Sequence, residues 1–146
     1  MLIREMSESD ISQVSSIEQK IFSEPWTKDD FTNAIRCKSN GYLVVEINNE
    51  IVAYCGYWGI AGEGDIYNVA VKQEYRGQQI GYHMLTELIQ HGISKGIASY
   101  TLEVRASNTA AIRLYERLGF QNAGIRKDFY TKPREDAVIM WLEPIQ

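Results

Sequence analysis

Hydrophobic residues recur along this chain in two patterns, one typical of strands and one typical of helices. Residues 41–47 and 50–60 are rich in β-branched and aromatic residues, which predicts two strands. The asparagines at 48–49 tolerate the positive φ angles of a tight hairpin turn, and therefore join these strands. Residues 61–64, which contain two glycines, turn the chain into a third strand at 66–71. The pattern predicts three antiparallel strands in succession.

Two amphipathic helices are predicted before these strands, each with a capping signal at its start. A short first strand leads into Ser7, which has an acid three residues later and apolar residues at helical spacing after it. Thr27, with Asp30 three residues on, caps the second helix. Trp26 can pack on Phe31 across this cap, as in a hydrophobic staple. The alternative is that Trp26 overhangs a substrate groove.

The stretch that organises the rest of the chain is a strand, a loop and a helix. The strand at 66–71 leads through the loop at 76–81 into a helix at 82–95, which closes at Gly96. A further strand is predicted at 97–104. A strand, a helix and a strand in this order predict one right-handed parallel crossover.

The carboxyl-terminal part predicts one more helix and two strands. Asn108 caps the helix at 109–118, and strands follow at about 121–126 and 137–142, with a polar, proline-containing connection between them. The predicted fold is mixed α/β: a mostly antiparallel central sheet with one parallel crossover and helices on both faces. We expect residues 1–146 to form a single domain.

Composition narrows the class of protein. The formal net charge of −4 disfavours a nucleic-acid platform. No apolar run approaches the roughly 18 residues of a membrane span, and no signal segment precedes the first strand. Cys37 and Cys55 are isolated, and His83 and His91 lack a third ligand, so we expect no disulfide and no metal. These observations predict a cytoplasmic protein.

The loop at 76–81 is a candidate anion site. A glycine-containing loop that feeds a helix presents unpaired N–H groups at the positive end of the helix dipole, which suits a phosphate or pyrophosphate. Arg76 can pair bidentately with phosphate oxygens. Neither the Walker string nor the dinucleotide fingerprint G-x-G-x-x-G is present.

This loop resembles the R/Q-x-x-G-x-G/A signature of the GNAT N-acetyltransferases, which cradles the pyrophosphate of acetyl-coenzyme A. Arg76 and Gly81 occupy the outer positions, but Gln79 stands where the pattern has its first glycine. If that position requires a positive φ, a non-glycine residue costs roughly 1–2 kcal/mol. If glycine serves only close approach, the Gln79 side chain can point outward. We expect cofactor binding to survive in either case.

Glu103 is the first candidate for chemistry, because it interrupts an apolar strand. A carboxylate there costs free energy unless it is solvated, paired or used. A structural alternative is an ion pair with Arg105 or Arg126.

Tyr115 is the second candidate, two helical turns after Asn108 and therefore on the same side of its helix. Because strands 66–71 and 97–104 should be neighbours, Tyr115 and Glu103 can face one groove beside the loop. The alternative is that Tyr115 is an ordinary core tyrosine.

A second resemblance covers essentially the whole chain. The segment LEVRASNTAAIRLYERLGF, residues 102–120, is very similar to its counterpart in the RimI family, GNAT enzymes that acetylate the N-terminal amine of a small-subunit ribosomal protein. The stretches PWTKDDF, INNEIVAY, IYNVAVK and REDAVIMWLEPI are similar too. The resemblance implies the GNAT fold, acetyl-coenzyme A as cosubstrate, and the N-terminal alanine of a basic ribosomal protein as acceptor.

The resemblance also implies roles for individual residues. Glu103 matches the general base of the family and Tyr115 its general acid. The strand backbone before the loop matches the part that holds the acetyl and pantetheine groups, and the loop matches the pyrophosphate cradle. The implied cofactor contacts are Val69, Ala70, Val71, Arg76, Gly77, Gln78, Gln79, Ile80, Gly81, Tyr82 and Asn108.

The region before the last strand offers a candidate substrate contact. Phe129 and Tyr130, followed by Arg134, Glu135 and Asp136, can form the rim of a peptide groove or a solvated loop. We take Tyr130 as the candidate contact with substrate.

Two other functions stay open from the sequence. The first keeps the fold and cofactor but acetylates lysine side chains or a small amine. The second is a non-catalytic acyl-coenzyme A binding module, which Gln79 suggests. The presence of both Glu103 and Tyr115 argues against a module that only binds.

Overall fold

The computed structural model describes residues 1–143, in which one seven-stranded sheet carries helices on both faces. Residues 144 and 145, the end of the REDAVIMWLEPI segment, lie outside the described residues. The strands are β1 (Leu2–Glu5), β2 (Gly41–Ile47), β3 (Glu50–Ile60), β4 (Glu63–Val71), β5 (Ser99–Arg105), β6 (Gln121–Thr131) and β7 (Arg134–Leu142). The helices are α1 (Ile11–Ile21), α2 (Lys28–Arg36), α3 (Ile80–Ser94) and α4 (Thr109–Arg117).

The sheet confirms the predicted fold class. Its strand order is β1-β2-β3-β4-β5-β7-β6, and every neighbouring pair is antiparallel except β4 with β5. Asn48 and Asn49 have φ angles of 52° and 66°, as the predicted hairpin turn requires.

The parallel pair is much shorter than the sequence suggested. Only residues 63–65 of β4 pair with residues 99–101 of β5. Beyond this point the two strands separate, although each stays paired with its antiparallel neighbour, β3 or β7. Residues 66–71, which were predicted to lie beside strand 97–104, therefore form no ladder with β5, and a gap opens beyond Asp65.

Two predicted boundaries are wrong. The turn before β4 is confined to Ala61 and Gly62, because the strand already begins at Glu63. The segment 127–136 is not a connection, since β6 and β7 extend through most of it and leave only residues 132–133 as the turn. Charged residues and a proline favoured a loop there, but β6 is an edge strand, where polar side chains face solvent.

The core divides into two clusters, one on each face of the sheet. Helices α3 and α4 cover one face, with Leu85 and Leu88 fully buried against the strands. Helices α1 and α2 cover the other, with Val14 and Phe31 fully buried. Burying one such side chain contributes roughly 1.5–3 kcal/mol, so the amphipathic faces account for the packing of all four helices.

The capping signals are confirmed at both early helices. Ser7 and Asp10 form a capping box around a short 3₁₀ turn that leads into α1. Thr27 and Asp30 form a second box at α2, and the rings of Trp26 and Phe31 lie 5.0 Å apart as the staple predicts.

The structure shows the surroundings of His91 and the two cysteines, the residue types that could bind a metal ion. His91 contacts the Tyr57 hydroxyl through Nδ1 and a Glu5 oxygen through Nε2, at 3.2 and 3.0 Å, and therefore serves packing. The cysteines are unpaired, one exposed and one buried. Residues 1–143 contain no cluster of three potential metal ligands. In the same range, every helix is too short or too polar to cross a bilayer.

We expect Gly92→Ala to destabilise the fold. A Cβ at Gly92 would overlap the hydroxyl of Tyr100, which is fully buried and donates to the Ile89 carbonyl at 3.0 Å. Overpacking of this kind costs about 1–3 kcal/mol, measurable as a lower free energy of unfolding in urea. Glu87→Ala, on the exposed side of the same helix, is the control and should change that free energy by less than ~0.5 kcal/mol. Equal stability of the two variants would contradict this packing.

Candidate active site

A cavity of about 670 Å³ lies at the gap between β4 and β5. Its walls come from four parts of the chain: the end of α1 with the segment that follows it, β4, β5 with the start of α4, and the β6–β7 hairpin. Elements far apart in sequence therefore meet where the sheet opens.

Five residues predicted from the sequence line this cavity: Val69, Glu103, Asn108, Tyr115 and Tyr130. The predicted loop at 76–81 and the neighbouring Tyr82 do not line it; they lie beyond the carboxyl end of β4, at the start of α3. The two candidate catalytic residues therefore line the same cavity, whereas the candidate phosphate loop lies outside its lining.

Glu103 and Tyr115 approach the cavity from opposite faces of the sheet. Leu102 and Val104 are buried in the core beneath α3 and α4, so alternation turns Glu103 toward the side of α1 and α2. Tyr115 comes from α4 on the other side. The two side chains share one cavity only because the strands have separated between them.

Glu103 takes part in one of the ion pairs considered from the sequence. Its Oε2 lies 3.2 Å from Nε of Arg126, while Arg105 pairs with Glu135 at the same distance. The Arg126 side chain is 58% exposed, and ion pairs with exposed partners contribute at most about 1 kcal/mol. An incoming group can therefore displace Arg126, and the pair is compatible with a chemical role for Glu103.

Tyr115 is buried, and its side chain lines the cavity. Burial raises the pKa of this phenol well above its usual range. At neutral pH the hydroxyl is therefore protonated and able to donate toward the cavity.

The β4 backbone also faces the gap, at alternate residues. The Lys72 N–H donates to the Val52 carbonyl of β3 at 2.8 Å, so the backbone groups of Val69 and Val71 point away from β3. The Val71 carbonyl accepts a bond from Arg76 Nε at 3.2 Å. Ala70, the third residue predicted to bind a ligand through its backbone, instead directs its backbone N–H and C=O groups toward β3.

The β4 ladder has an irregularity beside the same gap. Gly56 opposes Asn68 and Tyr57 opposes Ile66, so Tyr67 has no opposite residue on β3. An extra residue on one strand is typical of a β-bulge, which bends the strand and increases its local twist.

The structure shows both the backbone conformation of Gln79 and the direction of its side chain. Its φ of 64° shows that the position requires the left-handed region, where a non-glycine residue costs free energy. Its side chain nevertheless turns away from the loop, because Oε1 accepts a bond from Arg117 at 2.9 Å. The Arg117 guanidinium lies 4.5 Å from the centre of the Tyr82 ring. The amide side chain therefore leaves the helix N-terminus open.

Glu18 is a cavity residue that sequence reasoning missed. It accepts hydrogen bonds from the Tyr54 hydroxyl and, at 3.0 Å, from the Trp26 N–H. Burial raises the pKa of this carboxyl above its usual value. The signal in the sequence was an acid at the position four residues after Val14, on the apolar side of α1. Glu18 positions Trp26, which both staples α2 and lines the cavity.

Two hydrogen bonds join two of the walls of the cavity. The Ser23 hydroxyl donates to the Lys132 carbonyl at 2.6 Å, and the Thr131 hydroxyl donates to Glu24 at 2.8 Å. We call this pair the cross-cavity tie. It connects the segment after α1 to the β6–β7 hairpin, so these two walls are held together.

Tyr130 lies in β6 and not in a loop. It is half-buried in the cavity wall, and the Arg105 guanidinium lies 4.3 Å from the centre of its ring. This stacking and the neighbouring ring of Phe129, 5.0 Å away, fix its orientation.

We expect Glu18→Gln to remove one pH-dependent contribution to stability. Because the folded pKa of Glu18 is raised, the folded state retains a proton that the unfolded state loses. Wild-type stability should therefore fall relative to the variant as pH rises from about 4.5 through the raised pKa, and then level off. Urea unfolding of both proteins at a series of pH values would measure this difference. A difference that does not change with pH would show that Glu18 has no raised pKa.

Comparison with known proteins gives the same fold and a family. The model of the acetyltransferase (GNAT) family matches residues 11–120. The ribosomal protein bS18-alanine N-acetyltransferase of Escherichia coli (strain K12) is 36% identical over 144 residues, covering 96% of this chain and 95% of that protein. A Bacillus subtilis (strain 168) protein provisionally given the same function is 40% identical, with 96% and 93% covered.

A solved structure agrees with these sequence matches. The crystal structure of the ribosomal-protein-S18-alanine N-acetyltransferase from Escherichia coli superposes with a TM-score of 0.90 and 35% identity. The superposition covers 99% of this chain and 94% of that one.

Proposed function

We propose that this chain, which belongs to the acetyltransferase (GNAT) family, transfers the acetyl group of acetyl-coenzyme A to the N-terminal α-amine of a protein. The acceptor we propose is a basic ribosomal protein of the bS18 kind that begins with alanine, as in the relatives. One observation carries the proposal: a cavity at the gap in the sheet is lined by both a carboxylate and a protonated phenol.

Glu103 acts as the general base. An α-amine has a pKa of roughly 7.7–8.0, so at neutral pH much of it is ammonium and cannot attack a thioester. The Glu103 carboxylate, directly or through one water, removes that proton after Arg126 has moved aside. Such proton transfer contributes typically about 10²–10⁴ in rate.

The backbone of β4 stabilises the charge that forms next. Attack of the amine on the thioester carbonyl produces a tetrahedral oxyanion. The N–H groups of Val69 and Val71 face the gap and have no strand partner there, so they are suited to hydrogen-bond that oxygen.

Tyr115 completes the transfer as the general acid. Collapse of the tetrahedral species breaks the carbon–sulfur bond, and the departing thiolate takes a proton from the phenol. The acylated nitrogen loses its second proton, so one proton is released overall and Tyr115 is reprotonated. No enzyme-bound acyl intermediate is required.

The cosubstrate lies along the α3–α4 side of the gap. The first turn of α3 follows Gln79 and offers its unpaired N–H groups to the pyrophosphate. Asn108 lines the cavity and uses its side-chain oxygen to cap α4 at Ala111, which leaves its amide N–H₂ for coenzyme A. Acetyl-coenzyme A and ribosomal proteins share the cytoplasm, where we place this reaction.

The decisive test is where the acetyl group goes. The purified protein is incubated with acetyl-coenzyme A and an arginine-rich peptide that begins with alanine and contains internal lysines, and mass spectrometry locates the product. We expect acetylation of the α-amine. Acetyl groups on lysine would instead support the side-chain acceptor, and tight cofactor binding without transfer would support a binding module.

We expect Glu103→Gln and Tyr115→Phe each to lower kcat/KM by about 10²-fold or more, because each removes a proton-transfer group. Glu116→Gln, an exposed acid on α4, is the matched control and should retain activity. Unchanged kcat/KM in either variant would exclude the role assigned to that residue.

A further inference from the structure

Three aromatic side chains form an exposed platform beside the cavity. Trp58 and Tyr67 are 39% and 57% exposed, and their rings stack with centres 5.3 Å apart and planes at 22°. Trp26 packs on both, with ring centres 6.2 and 5.4 Å away. Tyr67 and Trp26 also line the cavity, so the platform continues its wall. Large aromatic surfaces left exposed beside a binding site mark a contact surface.

The platform is held in one orientation by buried groups. The Trp58 indole N–H donates to the Tyr42 hydroxyl at 2.8 Å, which donates to Asn68 at 2.6 Å. Tyr42 and Asn68 are both buried. Because the indole N–H is already used, Trp58 offers a partner only its ring surface.

Asp65 stands next to the platform. It is opposite Trp58 on β3 and Thr101 on β5, so its side chain lies on the platform side of the sheet. Its Oδ1 is shielded from solvent and has no hydrogen-bond partner within residues 1–143. Burial, and then the charge of Glu103, raise the pKa of this carboxyl. Because this oxygen has no hydrogen bond to balance its charge, a positive charge held near the carboxyl group is favoured.

The charges around Asp65 do not supply that cation. Arg126 is the nearby positive group, and it pairs with Glu103 at 3.2 Å. Asp65 and Glu103 are negative and Arg126 is positive, so this group keeps a net negative charge. Ring faces attract cations as well, so a positive side chain lying across Trp58 and Tyr67 would satisfy both features.

The spacing relates this position to the reacting amine. Asp65 is level with Thr101, and Glu103 lies two residues further along β5, about 7 Å away at ~3.3 Å per residue. An extended acceptor whose α-amine reaches Glu103 covers that distance in two residues. We propose that Trp58, Tyr67 and Asp65 form a subsite for a positively charged side chain at the second or third residue of the acceptor, an inference that rests on the proposed function.

The test compares arginine with citrulline, its neutral isostere. Peptides that begin with alanine carry one or the other at position 2, 3 or 4 and contain no other basic residue. Their dissociation constants are measured by calorimetry with coenzyme A present, so that binding is separated from transfer. We expect wild type to bind the arginine peptide about 10-fold more tightly at position 2 or 3.

Variants of the subsite should remove this preference. We expect Asp65→Asn and Trp58→Leu to reduce the ratio to less than about 3-fold, and Trp58→Phe to keep part of it because a ring remains. Glu87→Gln, an exposed acid on the other face of the sheet, removes the same charge and should keep the full ratio. Unchanged binding of the citrulline peptide shows that a variant is folded.

The outcomes separate the two proposals. Equal binding of arginine and citrulline peptides to wild type at every position would overturn the subsite, as would a ratio that survives in both Asp65→Asn and Trp58→Leu. A clear arginine preference in binding, with no acetyl transfer to any α-amine, would overturn the proposed function while the subsite stands.

Discussion

The separation of β4 from β5 is the constraint on which the rest of the site depends. A parallel ladder that ends after residues 63–65 leaves the backbone groups of Val69 and Val71 without a strand partner. Buried backbone groups require a hydrogen bond, so this part of β4 is suited to a ligand that supplies one. The same gap lets side chains from opposite faces of the sheet, Glu103 and Tyr115, meet in one cavity. The place where the parallel ladder ends is therefore also the place where the cavity lies.

The walls of the cavity are held by polar contacts that cost free energy unless they are satisfied. Glu18 is buried, yet each of its oxygens accepts a hydrogen bond, one of them from the backbone of Trp26. Arg105 stacks on Tyr130 and pairs with Glu135, which fixes the opposite wall. These contacts hold the side chains in place before any substrate arrives, and such preorganisation reduces the cost of binding.

Local signals in the sequence predicted the local structure well. The capping boxes, the Asn48-Asn49 turn, the Trp26 staple and the single parallel crossover all depend on residues close together or on simple periodicity. The features that were missed depend on distant residues. Nothing near Ser23 indicates a partner at Lys132, and hydrophobic alternation along β4 does not show where pairing with β5 ends. The roles of Glu103 and Tyr115 came from family resemblance, and the structure adds their shared cavity.

The cross-cavity tie restricts the shape of any ligand that enters between the two walls it joins. Its two hydrogen bonds are exposed, and together they contribute about 1–3 kcal/mol. A ligand narrow enough to leave both bonds intact loses none of this free energy when it binds. A bulkier ligand must break them, and its apparent affinity falls in proportion. Two hydroxyl groups, on Ser23 and Thr131, thus allow the shape of a ligand to influence its apparent affinity before any contact with Glu103.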